Sequence, residues 1–438
     1  MASPSIRARD FTAEPYWWRA FRPDAGRLPA LPARARVAIV GGGDGGLSTA
    51  IELARLGIEA VVLEAHELGH GASSRNAGFV SLHSNLEGRY GHQKEPDEAD
   101  RKRRHQDARD AFAFLERLIE EEGIACHYRR SGHYTAAYTR AHRSRLEAKA
   151  EKLNRLGDWG CRMVGEGEQR GELGSDLYRG GMVIAQSGLL HPALYYKGLL
   201  DAAARRGVTL AAMAPVTRIV RVDGAFEVET ARGTLKAGEV VIATNGYTGP
   251  LTPKLQRGII PIGSYMIATE PIGTELARKL VPNDRSVYDT RRILAYCRLA
   301  PDEPRLLFGG RVRFGGHDAL ANAPLLYKAM VRQFPELDGV AITHAWTGNL
   351  GFTLDEASHA GTIEGMRYLT GCNGAGVGLM TYLGTQTARQ IAGRANYVST
   401  FENPDLPTHP LYNGRPWFLP VLGSYYRARD WLDRARDR

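Results

Sequence analysis

The run Gly41-Gly42-Gly43-Asp44-Gly45-Gly46 sets the frame for the whole chain. It places glycine at 41, 43 and 46, the G-x-G-x-x-G spacing. Such a match alone is weak, so its surroundings decide. The apolar run Arg36–Val40 feeds straight into it and predicts a buried strand. Leu47, Ala50, Ile51 and Ala54 follow at helical spacing, and Gly57 closes that helix. Ala60–Leu63 predicts a second strand, with Glu64 at its end. Strand, glycine turn, helix, strand and acidic residue together make a dinucleotide-binding βαβ unit. Gly41 permits the tight turn, Gly43 lets the backbone approach a pyrophosphate, and Gly46 lets the helix pack on the sheet. The helix N-terminus offers N–H groups and partial positive charge to phosphate. Glu64 is placed to accept from a ribose hydroxyl, and its charge disfavours a 2′-phosphate. Asp44 runs against the pattern, because a carboxylate beside a pyrophosphate repels it; the alternative is that it caps the helix.

A second glycine cluster, Gly371-Cys372-Asn373-Gly374-Ala375-Gly376-Val377-Gly378, stands between a predicted strand (Arg367–Leu369) and a helix running to about Ala392. The strand Glu239–Ala243 ends in Thr244-Asn245-Gly246. A long, flat ligand gripped at both ends of the chain accounts for two such clusters, whereas a nicotinamide enzyme needs only the first. Glycine is in excess overall, with 50 of 438 residues against a usual ~7%. Besides 41–46 and 371–378, it concentrates at 69–78 and 309–316.

Other patterns exclude whole classes. Hydrophobic residues make up 43% and charged residues 24%, an ordinary globular balance. Four scattered cysteines with no C-x-x-C argue against a disulfide framework or a zinc ribbon. The N-terminus lacks an apolar h-region and no apolar run approaches the ~20 residues of a membrane span, so a cytoplasmic protein without membrane contact is expected. The net charge of +9 is spread along the chain. Its densest patch, Arg101–Arg104, is interleaved with Asp100, Asp107, Asp110 and Glu116, which reads as a solvated helix face rather than a nucleic-acid surface. A mildly positive field also favours anionic small substrates. His66-Glu67-Leu68-Gly69-His70 matches the zinc-hydrolase motif HExxH, but that chemistry needs both histidines on one helix face. Gly69, Gly71, Ser73 and Ser74 speak against a helix, so no metal is expected, and the stretch to Gly78 reads as a small-residue loop packing under a cofactor.

Further along, a helix with Ala108, Phe112, Leu115 and Ile119 on one face ends near Gly123. Helices are predicted over about 141–156, from Pro192 to Gly207, and near 325–334; a β-meander covers 216–243. Segments 257–270 and 286–313 are strand-rich, with a hairpin joining 293–299 to 305–310. The proline-bearing ends, 1–30 and 396–438, read as extended segments packed on the body, with Tyr16, Trp17 and Trp18 as a docking cluster.

These segments together resemble the D-amino-acid-oxidase-like FAD oxidoreductases, the group of glycine oxidase, monomeric sarcosine oxidase and γ-glutamylputrescine oxidase. The resemblance rests on RVAIVGGGDGGLS, VVLEAHELGHGASSRNAG, VVIATNGYTG, PIGSYMIATEP, DTRRILAYCRLAPDEPRLLFGGR, WTGNLGFTLDEASHAG and YLTGCNGAGVGLMTYLG, and covers about Arg36 to Gly393. It implies an α/β fold: a Rossmann-like FAD-binding domain of the two-dinucleotide-fold type (31–90, 165–255 and 345–395) with an α+β, antiparallel-sheet substrate domain (91–164 and 256–344). It implies that Gly41, Gly43, Gly46, Glu64 and Ala65 hold the ADP half of FAD. Ser73, Ser74, Arg75 and Asn76 would line the pyrophosphate and flavin edge, and Val216 would meet the adenine. Ala243, Thr244 and Asn245 return to the nucleotide site, and Gly374, Gly376, Val377 and Gly378 face the flavin pyrimidine. Arg298 matches a carboxylate-binding arginine, with a salt bridge inside the hairpin as the open alternative; Tyr265, Tyr296 and Tyr247 are candidate pocket walls.

The implied activity is oxidation of the C–N bond of a small amine or amino acid. A carboxylate-bearing substrate is expected: an N-substituted glycine of sarcosine or iminodiacetate type, a simple amino acid, or a γ-glutamyl amine. Hydride would pass to flavin N5, the imine would hydrolyse, and O2 would return as peroxide. No cysteine lies in Asn349–Thr353, where covalently flavinylated relatives carry one, so the FAD is expected to be noncovalent. Leu307 or Phe308 occupies the place of an oxygen-activating lysine, so an acceptor other than oxygen stays open, as does a flavin-binding subunit without catalysis.

Overall fold

The computed structural model describes residues 6–26, 28–86, 97–311, 318–395 and 398–437. The expected strand–helix–strand unit forms as Arg34–Val40, Asp44–Arg55 and Ala60–Leu63. Arg34–Val40 lies between two parallel neighbours, Ala60–Leu63 and the second half of Gly233–Ile242. Thr209–Ala211 extends the sheet on one side. On the other, Val216–Val222, Ala225–Thr230 and the first half of Gly233–Ile242 form the antiparallel meander. Met366–Thr370 runs parallel to the end of Gly233–Ile242 and pairs with His359–Ile363. Val37, Ala38, Ile39, Val61 and Val62 have no solvent exposure, as strands covered on both faces require. The helices Asp44–Arg55 and Gly376–Ile391 cross tightly on one face. A Cβ at Gly384 would overlap the Gly45 carbonyl, and Thr49 Oγ1 donates to Gly384 O at 3.0 Å.

The second sheet has nine strands, in the order Arg7–Thr12, Ile342–Thr353, Ile259–Thr269, Leu306–Gly310, Ala295–Leu299, Ser286–Asp289, His133–Ala136, Gly181–Ile184 and Cys161–Val164. It is antiparallel except where Arg7–Thr12 meets Ile342–Thr353 and where Ser286–Asp289 meets His133–Ala136. The helix Ala319–Gln333, capped by Asp318, packs against it. Ile267, Phe308, Leu326, Met330 and Phe334 fill the space between.

Several segments differ from expectation. The N-terminal stretch does more than pack as an extended segment, because Arg7–Thr12 completes the edge of the nine-stranded sheet. The C-terminal stretch ends in a helix, Leu419–Ala435. Its Leu419 and Tyr426 join Ile260, Ile262 and Phe352 in one cluster, and its Asp430 accepts from the backbone N–H of Arg292 and Ile293. Gly181–Ile184, in a stretch expected to serve the nucleotide domain, instead inserts between His133–Ala136 and Cys161–Val164. The expected division at 90/91 and most of the glycine run 309–316 lie outside the described residues. The aromatic cluster docks as expected, with Tyr16 and Trp17 fully buried against Ala193, Met266, Leu307 and Trp346. The Arg101–Arg104 run lies on the helix Glu98–Glu121, where exposed Lys102 and Arg103 pair with Glu98 and Asp100. No described helix is long and apolar enough to cross a membrane.

Candidate active site

A cavity of about 810 Å³ runs from the carboxyl ends of the parallel strands to the face of the nine-stranded sheet. Ligands sit at strand carboxyl ends in open α/β sheets because loops and helix N-termini converge there. The first wall is the Gly41–Gly46 turn. Gly41 adopts φ 105°, and a Cβ there would come within 2.8 Å of the Ala243 carbonyl. A Cβ on Gly46 would overlap the Gly41 carbonyl, so Gly46 does not line the cavity but seats the helix, the role its spacing predicts. Gly43 is the helix N-cap and has no side chain to occupy the exposed N–H groups.

Glu64 is fixed from two sides. Gly42 N–H donates to Oε2 at 2.9 Å and His66 N–H to Oε1 at 3.1 Å. These two bonds leave lone pairs facing the cavity, where Ala65, Pro215 and Val216 complete the wall. Tyr196 supports the turn from behind by donating to Gly42 O at 2.9 Å. The next section holds Ser73, Arg75 and Asn76. Arg75 stacks on Trp18 at 4.4 Å and donates to His70 O and Thr347 O.

The far wall is the second glycine loop. Asn245 joins it to the strand end of the first sheet, because its Oδ1 accepts from Gly371 N at 3.2 Å and Cys372 N at 3.4 Å. Ala243, Thr244, Asn245, Gly374, Gly376 and Val377 all line the cavity. The helix Gly376–Ile391 begins here with no side-chain cap, so its first N–H groups point at whatever lies between the two loops. Beyond it, Phe79, Met266, Tyr288, Leu294, Tyr296, Trp346 and Phe352 form a largely apolar chamber against the nine-stranded sheet. Tyr296 Oη lies 2.9 Å from Ser264 Oγ, and burial pushes its pKa up to about 12, so the phenol stays neutral. Gly309 makes room for it, since a Cβ there would overlap the Tyr296 ring.

Besides Gly46, four expected site residues do not line the cavity. Arg298 is 0% exposed and does not line the cavity. Its guanidinium lies over the Trp17 ring at 5.2 Å and donates to Leu299, Ala77 and Leu190 carbonyls. It makes no hairpin salt bridge among the described residues and ties three segments together, while its Nη2 is buried without a partner. Tyr265 points away from the chamber into the core shared with Ile267 and Phe308. Ser74 is fully buried between Trp18 Nε1, from which it accepts, and Gly69 O, to which it donates. Gly378 faces Leu82 and Leu115 rather than the cavity. The helix-capping alternative for Asp44 also fails. Asp44 is the first helical residue, its N–H donates to Ser73 Oγ at 3.0 Å, and its side chain caps nothing. The HExxH stretch is not helical; it is bends and turns, with the His66 and His70 rings 4.5 Å apart.

Sequence reasoning missed Arg311. It is 3% exposed, lines the chamber, and stacks on Phe352 at 4.6 Å. A Cβ on Gly374 would sit 3.3 Å from its Nη2, which places the guanidinium beside the second glycine loop. The available signal was an arginine directly following the Gly309-Gly310 strand end.

The residues fit a long flavin nucleotide. Two helix N-termini whose N-cap residues make no side-chain cap, glycine turns that leave no room for a Cβ, and a ribose-ready carboxylate stand along one cavity. Comparison with known proteins agrees. Residues 36–390 match the family described as FAD dependent oxidoreductase. The chain is 32% identical over 409 residues to γ-glutamylputrescine oxidoreductase of Escherichia coli, covering 90% of this chain and 93% of that protein. Among solved structures, glycine oxidase from Geobacillus kaustophilus superposes with a TM-score of 0.73 at 21% identity, over 86% of this chain and all (100%) of that one. Iminodiacetate oxidase from Chelativorans gives a TM-score of 0.68 at 20% identity, over 84% and 99%.

Proposed function

This chain belongs to the FAD-dependent oxidoreductases, and from that premise we propose that it oxidises the C–N bond of a small amine or amino acid bearing a carboxylate. The observation that carries the carboxylate is Arg311, a buried guanidinium at the rim of a largely apolar chamber. A guanidinium matches a carboxylate with two parallel N–H donors, and in a low-dielectric chamber that pair orients as well as binds. Bound in the cavity, FAD supplies a two-electron acceptor for a C–H next to the amine nitrogen. Gly41, Gly43 and Glu64 hold its nucleotide half, and Gly374, Gly376 and Val377 meet its ring end. The N-terminus of Gly376–Ile391 stabilises negative charge there. Phe79, Tyr296, Trp346 and Phe352 exclude water around the amine, which favours the neutral amine that the oxidation requires. No side chain is needed as a base, and the imine product hydrolyses on release.

We place this FAD as noncovalent, since the strand Ile342–Thr353 carries no cysteine. Cys372 lines the cavity, but its thiol is engaged by backbone, accepting from Gly351 N–H at 3.3 Å. Oxygen is the acceptor we favour. A second reading, transfer to a different acceptor, is supported by Leu307 and Phe308, which are fully buried and bring no cation to the chamber. One experiment tests the function. The purified protein should be yellow, release FAD on denaturation, and bleach anaerobically with N-methylglycine, iminodiacetate, simple amino acids or a γ-glutamyl amine. Peroxide formed on admitting air supports oxygen as acceptor, and bleaching without aerobic turnover supports the second reading. A protein that is yellow but bleached by none of these amines refutes the proposal.

A further inference from the structure

Asp44 is the residue the cofactor site does not explain. It is the first residue of the helix Asp44–Arg55, 7% exposed, and on the cavity wall where the nucleotide phosphates belong. Its Oδ1 is inaccessible to solvent and has no hydrogen-bond partner. Its own N–H is taken by Ser73 Oγ, and no ion pair reaches its carboxyl among the described residues. An ionised carboxylate there would have no cation, its Oδ1 would have neither water nor a donor, and its other oxygen would face the cofactor's pyrophosphate.

We propose that Asp44 is a neutral carboxylic acid in the loaded protein and donates its hydrogen bond to the phosphate-bearing part of FAD, so that the cofactor is taken up together with one proton. The inference rests on the FAD reading of this cavity. It turns an apparent mismatch in the glycine turn into a donor, because a protonated carboxyl is a hydrogen-bond donor where a carboxylate only accepts.

The surrounding groups leave this titration to Asp44. From the helix Pro192–Arg205, Tyr195 and Tyr196 face it, and burial holds both phenols neutral. From the loop after Ala60–Leu63 comes Glu64, whose two oxygens are held by the Gly42 and His66 N–H groups. Arg75, on the turn past Ser73, is engaged with Trp18 and two carbonyls. On the crossing helix the only nearby charge, Arg389, is paired with Glu52 at the opposite end of Asp44–Arg55. Burial, which outweighs an opposing hydrogen bond from Ser73, already pushes the Asp44 carboxyl up to about 7 before any phosphate is present.

The sign follows from linkage. The empty site loses its proton above about pH 7, whereas the loaded site retains it. FAD affinity should therefore be flat below that point and weaken by up to about tenfold per pH unit above it. The test is FAD titration of the apoprotein, followed by flavin fluorescence between pH 6 and 9.5, with proton uptake read by an indicator dye in weak buffer. Asp44→Asn keeps a donor and cannot ionise, so its affinity should stay flat and exceed that of the wild type at high pH. The wild type should take up close to one proton per FAD near pH 8, a reading that stands even where the variant fails to fold. A pH-independent wild-type affinity with no proton uptake overturns the role of Asp44 alone. Absence of FAD binding at every pH overturns the cofactor reading beneath it.

Discussion

Replacing Arg311 by methionine separates recognition of the carboxylate from everything else the chamber does. Methionine keeps most of the length and the contact with Phe352, and loses only the charge and its donors. A charge-assisted hydrogen bond contributes roughly 1.5–3 kcal/mol net. Leaving a charged partner unpaired in a desolvated site costs about 2–5 kcal/mol. With Arg311 only 3% exposed, water cannot easily replace it. A loss near 3 kcal/mol follows, or about 150-fold in kcat/KM. Arg311→Lys retains charge without the planar fork, and a loss of roughly tenfold is expected. The assay compares kcat/KM for a carboxylate-bearing amine with that for the same amine carrying methyl in place of carboxylate. Only the first should fall, and flavin absorbance should be unchanged. An equal fall for both, or none for the acid, would show that Arg311 does not hold the carboxylate.

Arg298→Met should behave in the opposite way. It leaves the Ala77 and Leu190 carbonyls without their donor, so thermal unfolding should shift down by several degrees for a cost of about 2–4 kcal/mol, while KM stays within twofold. Gly46→Ala drives a Cβ into the Gly41 carbonyl; a titration should show FAD affinity reduced at least about 100-fold, since the turn and the helix N-terminus cannot both hold their positions. Glu122 accepts from Arg55, Arg205 and Arg206, with its side chain 2% exposed. Its pKa is lowered; burial opposes this shift, but hydrogen bonds from Arg206 and Arg55 outweigh it. A depressed carboxyl pKa adds stability above the unfolded value, near 4.3, and loses it as pH falls through the folded value. Glu122→Gln should therefore lower the urea midpoint at pH 7, by the equivalent of about 3 kcal/mol, and the gap to wild type should close below about pH 4.

The Gly41–Glu64 end of the cavity could be read from the chain because its parts are close in sequence. Strand, turn, helix and Glu64 all fall within residues 34–64, and each has a backbone reason that glycine or an acid records directly. The chamber could not be read in the same way. Tyr296 and Arg298 lie two residues apart on one strand and so share a face, as strand alternation requires. Yet only Tyr296 reaches the cavity. Trp17 covers the place where Arg298 emerges, and nothing local to the strand announces a cover from the far N-terminus. Tyr265 fails for the complementary reason. Its neighbours Ser264 and Met266 line the cavity, so Tyr265 must face the other way. Alternation separates the two sets, but only the docked sheets say which set faces inward. The terminal helix Leu419–Ala435 was hidden by the prolines ahead of it, although Pro420 sits in its first turn, where a missing N–H costs little.

On the proposed function, the order of charges along the cavity would let one long pocket hold FAD and an anionic substrate without confusing them. Arg311 stands at the chamber end, and the carboxyls of Asp44 and Glu64 stand at the nucleotide end. Between them lie the N-termini of Asp44–Arg55 and Gly376–Ile391, each a source of partial positive charge. A free anionic substrate is drawn toward Arg311 and turned away from the ribose site by Glu64. A nucleotide can still settle there, because its hydroxyls satisfy Glu64 and its phosphates meet helix N–H groups. Asp44 is the one group that this order leaves in conflict, since it sits where the phosphates must lie. A proton on its carboxyl removes the conflict, and the same arrangement then repels a small anion only weakly when FAD is absent. Apoprotein at pH 9 should thus be a poorer competitor for small dicarboxylates at the nucleotide end than apoprotein at pH 6, a difference that Asp44→Asn should abolish in equilibrium dialysis.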